Sequence, residues 1–242
     1  VNAEGVEPGS GSTERFVAVP GMSSICSEMA GELPDCRFSC KVEAARREEG
    51  QWILETSGQE ALTADALVLA IPPSQMLDLV GDPEIAESLE QVRMQPCWAV
   101  MAVLDQPLSA DYDAAFVNTG PLSWLARQSS RPGRPDTEAW VLHASPEWSE
   151  EHLEARPEDV QTELLDAARQ LPIAGPFEAA YARAHRWLYA LPGQPLEVGA
   201  LWFDKRQLAL AGDWCQGSRI EGAFLSGAAA AGRVMAAQVG SS

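Results

Sequence analysis

The residues best suited to chemistry lie near the C-terminus, in the stretch LALAGDWCQGSRIEGAFLSGAAAAGRVM, residues 208–235. An apolar run ending at Ala211 reads as a strand, and Gly212 and Asp213 close it. A short polar loop follows, and a small-residue helix begins near Glu221. Asp213 thus falls where the carboxyl edge of a strand meets a loop, which is where ligands bind in open α/β sheets. A carboxylate at that place accepts hydrogen bonds from sugar or ribityl hydroxyls. The helix start over residues 220–223 offers unpaired N–H groups and a partial positive charge. It would stabilise a ring edge that turns anionic on taking up a hydride, by ~1–2 kcal/mol in a partly buried geometry. Gly222 and the small residues after it let a planar ring come close to the backbone. Together these features suit a redox dinucleotide; the competing reading is an ordinary capped helix packed on a sheet.

The elements that position this stretch follow from periodicity and turn chemistry. Residues 1–14 are polar and Gly/Ser-rich and read as a lead-in loop, RFVAVP as a short strand, and GMSSICSEMAGEL as a helix. Ser23 is the expected cap of that helix, with Ile25 and Met29 on one face. The stretch CRFSCKVEAARRE alternates apolar Cys36, Phe38, Cys40, Val42 and Ala44, the pattern of a half-buried strand. A hairpin follows and leads into a buried strand over 65–71, stopped by Pro72 and Pro73. Helical character over 74–93 gives way, from Pro96, to successive strand-like runs broken by turns, the signature of an antiparallel sheet. A helix over 145–171, capped by Ser145 or Ser149, buries Val160, Leu164, Leu165 and Ala168. FEAAYARAHRWLYALP returns as a long strand before the C-terminal strand and helix.

Composition narrows the function classes. The 242 residues are 46% hydrophobic and 21% charged, as in a folded globular protein with a substantial core. Seventeen Lys and Arg stand against 35 Asp and Glu, a net charge of −18, so nucleic acid and anionic membranes are poor partners and a small-molecule substrate is expected. Five cysteines without a C-x-x-C pair, and three histidines, give no zinc-type spacing and no metal site. Reduced thiols in a cytoplasmic protein are the expectation. The most apolar window, 220–239, contains Glu221 and Arg233 and reads as a packed helix, not a membrane span. The eight tryptophans are many for this length: Trp98, Trp124 and Trp140 sit in the antiparallel region that would form the substrate wall, and core packing explains most of them equally well.

The segment 208–233 resembles the C-terminal flavin motif of the flavin-containing amine oxidase superfamily, and its renalase-like branch most closely. RFVAVPGMSSICSEMA, DALVLAIPPSQMLDLV and AHRWLYALP agree with that family in order and spacing, so the resemblance runs from about Arg15 to Val234. It implies an FAD-dependent oxidoreductase that moves a hydride from a dihydronicotinamide-type or amine substrate to flavin N5, with oxygen reoxidising the flavin. It also implies residue roles. Gly212 and Asp213 would lie along the ribityl–pyrophosphate portion, while Arg219, Ile220, Glu221, Gly222 and Ala223 would border the isoalloxazine ring. Val42 would meet the adenine through its backbone, and Ala70, Ile71 and Pro72 would line the cofactor. His185 and Trp187 would sit in the segment that brings an aromatic near the flavin face, as the candidate catalytic pair.

The family's first element, a strand–GxGxxG–helix–strand unit of ~30 residues or more, has no counterpart here. The glycines at 5, 9 and 11 follow no strand and open no helix. The fold expected is therefore α/β: an incomplete Rossmann-like FAD-binding domain (1–93 and 198–242, without its N-terminal βαβ) carrying an inserted antiparallel-sheet substrate domain (94–197). A sheet edge left uncovered in this way suggests self-association or a complementing N-terminal segment. The alternative function is a non-catalytic truncated remnant that binds a small molecule or partner.

Overall fold

The computed structural model describes residues 16–58, 60–108, 112–171 and 176–239. They divide into two compact units. One comprises the described residues up to Cys36 together with Pro96–Leu188; the other comprises Arg37–Gln95 and the described residues from Tyr189 onward. Each has its own apolar core.

The first unit is built on a five-stranded sheet. Its strands are β5 (Met94–Leu104), β6 (Ala114–Phe116), β7 (Leu122–Arg127), β8 (Ala139–Ala144) and β9 (Ala179–Pro192), in the order β6-β7-β8-β5-β9. The pairs β6–β7, β7–β8 and β5–β8 are antiparallel, as the closely spaced strand runs require. Trp98, Val100, Leu125, Trp140 and Leu142 alternate onto the inner face, against α5 (Pro157–Arg169). The helix buries Val160, Leu164, Leu165 and Ala168 as its spacing predicts. The helix expected over 145–171 is two helices, because Pro157 must sit in a first turn. The preceding α4 (Pro146–Glu151) is capped by Ser145, whose Oγ accepts the Trp148 N–H at 3.1 Å. Ser149 instead lies fully buried and accepts the Trp98 N–H at 3.1 Å.

The described residues up to Cys36 belong to this unit. Val19 lies beside the 131–134 loop, since a Cβ on Gly133 would meet Val19 Cγ1 at 3.0 Å. RFVAVP forms no strand over its described residues, and Phe16, Val17 and Val19 are exposed. Helix α1 (Ser23–Gly31) starts after Met22 without a side-chain cap and buries none of its residues, Ile25 and Met29 included. Residues 1–14, expected as a lead-in loop, lie outside the described residues.

The second unit holds two three-stranded sheets. In the first, β1 (Val42–Glu48), β2 (Gln51–Thr56) and β3 (Leu62–Ala64) pair antiparallel in that order. Glu49 and Gly50, both at positive φ, form the turn between β1 and β2. The strand does not begin at Cys36. A register shift between Val42 and Ala44 puts Ala45 in the core and ends the simple alternation. In the second sheet, β10 (Leu201–Phe203) pairs antiparallel with β11 (Leu208–Leu210), and β11 pairs parallel with β4 (Leu67–Leu69). Pro72 and Pro73 end the β4 segment and open α2 (Pro73–Val80); α3 (Pro83–Leu89) follows, capped by Asp82. The loop expected after β11 is a short helix, α6 (Asp213–Gln216), because Trp214 and Cys215 sink into the core. Helix α7 (Ile220–Val239) closes the chain.

Candidate functional site

The site expected from the sequence is assembled by one pair of strands in the second unit. Leu208, Ala209 and Leu210 are completely buried, and they pair with Leu67, Val68 and Leu69 in parallel. The Ala211 N–H donates to the Leu69 carbonyl at 2.9 Å, extending that pairing by one residue. Parallel strands end on the same edge, so Ala70, Ile71 and Pro72 leave β4 where Gly212 and Asp213 leave β11. Five of the expected cofactor-lining residues thus meet at one carboxyl edge, where open α/β sheets receive ligands. Val42 is placed differently: it opens β1 in the other small sheet, opposite Thr56.

Beyond Gly212 the chain turns through α6 into α7. The Arg219 N–H donates to the Gly217 carbonyl at 2.7 Å, and the Ala223 N–H donates to the Arg219 carbonyl at 3.0 Å. That second bond is the first of α7, so the N–H groups of Ile220, Glu221 and Gly222 precede the helical ladder and lack partners within it. Arg219, Ile220, Glu221 and Ala223 are exposed around this helix start, with Ile220 at 53%. Gly222 is not. It is buried, and a Cβ there would lie 2.8 Å from the Gly217 carbonyl carbon and closer still to its oxygen. The close approach that Gly222 permits is that of α7 to its own preceding loop.

Asp213 stands at the start of α6. Burial pushes its carboxyl above the ordinary value, and hydrogen bonds from the Trp214 N–H and its own N–H partly oppose the shift. A partly desolvated carboxylate at a sheet edge is a strong acceptor for hydroxyl donors. The indole Nε1 of Trp214 is buried without a hydrogen-bond partner next to Gly212, where an added Cβ would meet Trp214 Cδ1 at 2.7 Å.

Sequence reasoning missed Ser226. Buried on α7, it accepts the Gly212 N–H through Oγ at 2.9 Å and so fixes the turn that carries Asp213. The available signal was its spacing: Gly222, Ser226 and Ala230 recur every fourth residue and are the buried residues of α7. Ser226→Ala leaves the Gly212 N–H without this acceptor and should destabilise the protein by ~1–3 kcal/mol, read as a lowered Tm. An unchanged Tm would mean the bond contributes nothing.

His185 and Trp187 lie two apart on β9 in the first unit, both exposed, with ring centroids 4.4 Å apart at 68°. They form an edge-to-face pair on the sheet surface, suited to holding a flat molecule. Among the described residues no cluster of His, Cys, Asp and Glu could hold a metal ion, and no helix is long and apolar enough to cross a membrane. None of the five cysteines is in a disulfide, and burial raises the thiol pKa of Cys97 and of Cys215 to about 11.

The model of one protein family, flavin-containing amine oxidoreductase, matches residues 10–235. The chain belongs to that family. Its cofactor is FAD. The solved structures it resembles include a protein assigned as a protoporphyrinogen oxidase from Exiguobacterium sp. 255-15, at TM-score 0.70 and 17% identity, covering 89% of this chain and 51% of that one. Putrescine oxidase bound to putrescine matches at TM-score 0.63 and 18% identity, over 89% of this chain and 53% of that one. Cyclohexylamine oxidase from Brevibacterium oxydans IH-35A matches at 0.59 and 14%, over 84% and 49%. At such identities the likeness is one of fold. The chain spans about half the length of these structures.

The residues at the 70–72 and 212–223 edge fit the ribityl chain and ring of this family's cofactor. A carboxylate acceptor, small residues and an open helix start stand together there, as those two parts of FAD require.

Proposed function

We propose that this chain supplies the ribityl- and ring-binding part of an FAD site and the substrate-holding sheet of an oxidoreductase. The observation that carries the reading is the convergence of residues 70–72 with Gly212 and Asp213 at one parallel-strand edge, beside the exposed start of α7. FAD, when bound, supplies a two-electron acceptor. Asp213 would accept hydrogen bonds from ribityl hydroxyls, and the free N–H groups of Ile220 and Glu221 would face the ring edge that gains charge. Arg219 and Ala223 would border the ring, and Trp187 and His185 would orient the substrate. No proton-transfer constellation is required of them for a dihydropyridine donor, whose aromatisation drives hydride release; the site positions the donor carbon and excludes water.

The renalase-like pattern of the sequence supports a dihydronicotinamide-type substrate, with oxygen as the final acceptor; family membership supports amines. Exposed Phe224, Leu225, Met235 and Val239 on α7 support association with a complementing segment or a second copy. Anaerobic mixing of the FAD-loaded protein with a reduced nicotinamide or an amine, followed by flavin absorbance, tests the reading. Bleaching by the nicotinamide is expected. Bleaching by amines alone would reverse the order of substrates, and a protein that takes up no FAD would favour the non-catalytic binding module.

A further inference from the structure

The outer face of the five-stranded sheet breaks the usual rule for antiparallel sheets, in which the face away from the core is polar. Strand register places Phe116, Trp124, His143 and Ala99 in one rung across β6, β7, β8 and β5. The next rung holds only small and aliphatic residues and ends on Met101, which is 43% exposed. Phe116 and Trp124 meet edge to face at 4.7 Å. On the neighbouring β9, Ala184 packs in the core and Arg186 reaches over the Trp98 ring, so Tyr181, Arg183, His185 and Trp187 alternate onto the outer face. Tyr181 and Trp187 are 58% and 56% exposed.

Charge on this face is as uneven as its polarity. The chain contains 35 acidic residues, yet the five strands contain no Asp or Glu. The inward-facing arginines of the sheet are paired: Arg127 Nε lies 3.4 Å from Glu138, and Arg186 donates to Glu154 at 3.0 Å. Arg183 faces outward and, among the described residues, forms neither an ion pair nor a hydrogen bond. Burial lowers the pKa of His143, which favours its uncharged form. A cationic amine would find no carboxylate on these strands and one uncompensated guanidinium.

Taking the substrate-holding role of the sheet as given, we propose that its outer face binds a flat, largely apolar ring bearing an anionic group, carboxylate or phosphate. The ring lies on the exposed aromatic surface of β9 at Trp187, and Arg183, on the same face of that strand, holds the anion through its planar fork. The proposal deepens the functional reading above by choosing an anionic ring over an amine.

Binding to the 242-residue chain without flavin tests this, so its outcome is separate from that of FAD loading. The probes are 1-pyrenecarboxylate and 1-naphthyl phosphate, followed by tryptophan quenching, with neutral 1-pyrenemethanol alongside. Arg183→Gln should weaken both anionic probes roughly tenfold and leave the neutral probe unchanged. Arg233→Gln, which removes an exposed cation from α7, should leave all three unchanged. Trp187→Ala should weaken all three, and spermidine should displace none. Equal affinity of wild type and Arg183→Gln for the anions, indifference to Trp187→Ala, or displacement by spermidine would overturn the proposal. If only one anion responds to Arg183→Gln, that result assigns the group as carboxylate or phosphate. A chain that binds the probes as expected but takes up no FAD would defeat the oxidoreductase reading and leave this one standing.

Discussion

Gly222→Val should destabilise the protein by ~3 kcal/mol or more, lowering Tm by about 6–12 °C, with or without FAD. A valine Cβ at this position falls inside the backbone of Gly217, 2.8 Å from its carbonyl carbon. The obstacle is main chain, held by the bond from the Gly217 N–H to the Asp213 carbonyl at 2.7 Å, and no side-chain rotation relieves it. Either α7 shifts away from the loop, or residues 217–219 move and the first bonds of the helix are lost. Gly222→Ala should act in the same direction despite alanine's gain of ~1 kcal/mol in helix propensity. If Gly222 were needed only for clearance of a flavin ring, the cofactor-free valine variant would melt like the wild type and lose flavin occupancy alone. Melting curves of the cofactor-free protein separate the two roles, and a Tm equal to that of the wild type would overturn the packing argument.

The same glycine shows what the sequence could and could not convey. Strand, Gly-Asp and helix were legible at 208–239 because three buried strand residues and a long run of small residues carry their own periodicity. The sequence could not tell which side of α7 is buried, since glycine and alanine populate nearly every face. The burial of Gly222, Ser226 and Ala230 decides it. α5 was legible because Val160, Leu164, Leu165 and Ala168 are large enough to mark a stripe. RFVAVP has strand propensity and, among the described residues, no partner strand, and propensity in a sheet is mostly a matter of neighbours to pack against. The register shift at Val42 and Ala44 likewise has no local signature. Two of the three boundaries between the units, 95/96 and 188/189, fall inside β5 and β9, where composition shows no break. The outer-face pairing of Trp124 with His143 appears only with β7–β8 register, so the sequence left Trp124 between a substrate-wall and a core aromatic and gave no sign of its neighbour.

Asp213→Ala should weaken FAD binding by ten- to a hundredfold, the loss of a charge-assisted contact of ~1.5–3 kcal/mol. The stabilisation by FAD should shrink accordingly, by roughly 1.4 kcal/mol for each tenfold change in affinity at saturating cofactor, read as a smaller FAD-induced rise in Tm. The cofactor-free fold should be less affected, because Asp213 is only half-buried and the core beneath it rests on Leu208, Leu210 and Trp214. Direction with pH follows from the raised carboxyl pKa, whose leading cause is burial. A folded-state pKa above the unfolded value means that the folded protein holds this proton more tightly. Ionisation therefore costs stability as pH rises through the folded value, and the cost is absent below the unfolded value. In the cofactor-free protein Asp213→Asn, which keeps an oxygen acceptor for the Trp214 N–H, should match the wild type in acid and equal or exceed it near neutrality. With FAD the order should reverse near neutrality, since the ionised carboxylate is the better acceptor for ribityl hydroxyls. An unchanged FAD-induced Tm shift in Asp213→Ala would remove Asp213 from the cofactor site, because its carboxylate would then be engaged only with the α6 backbone.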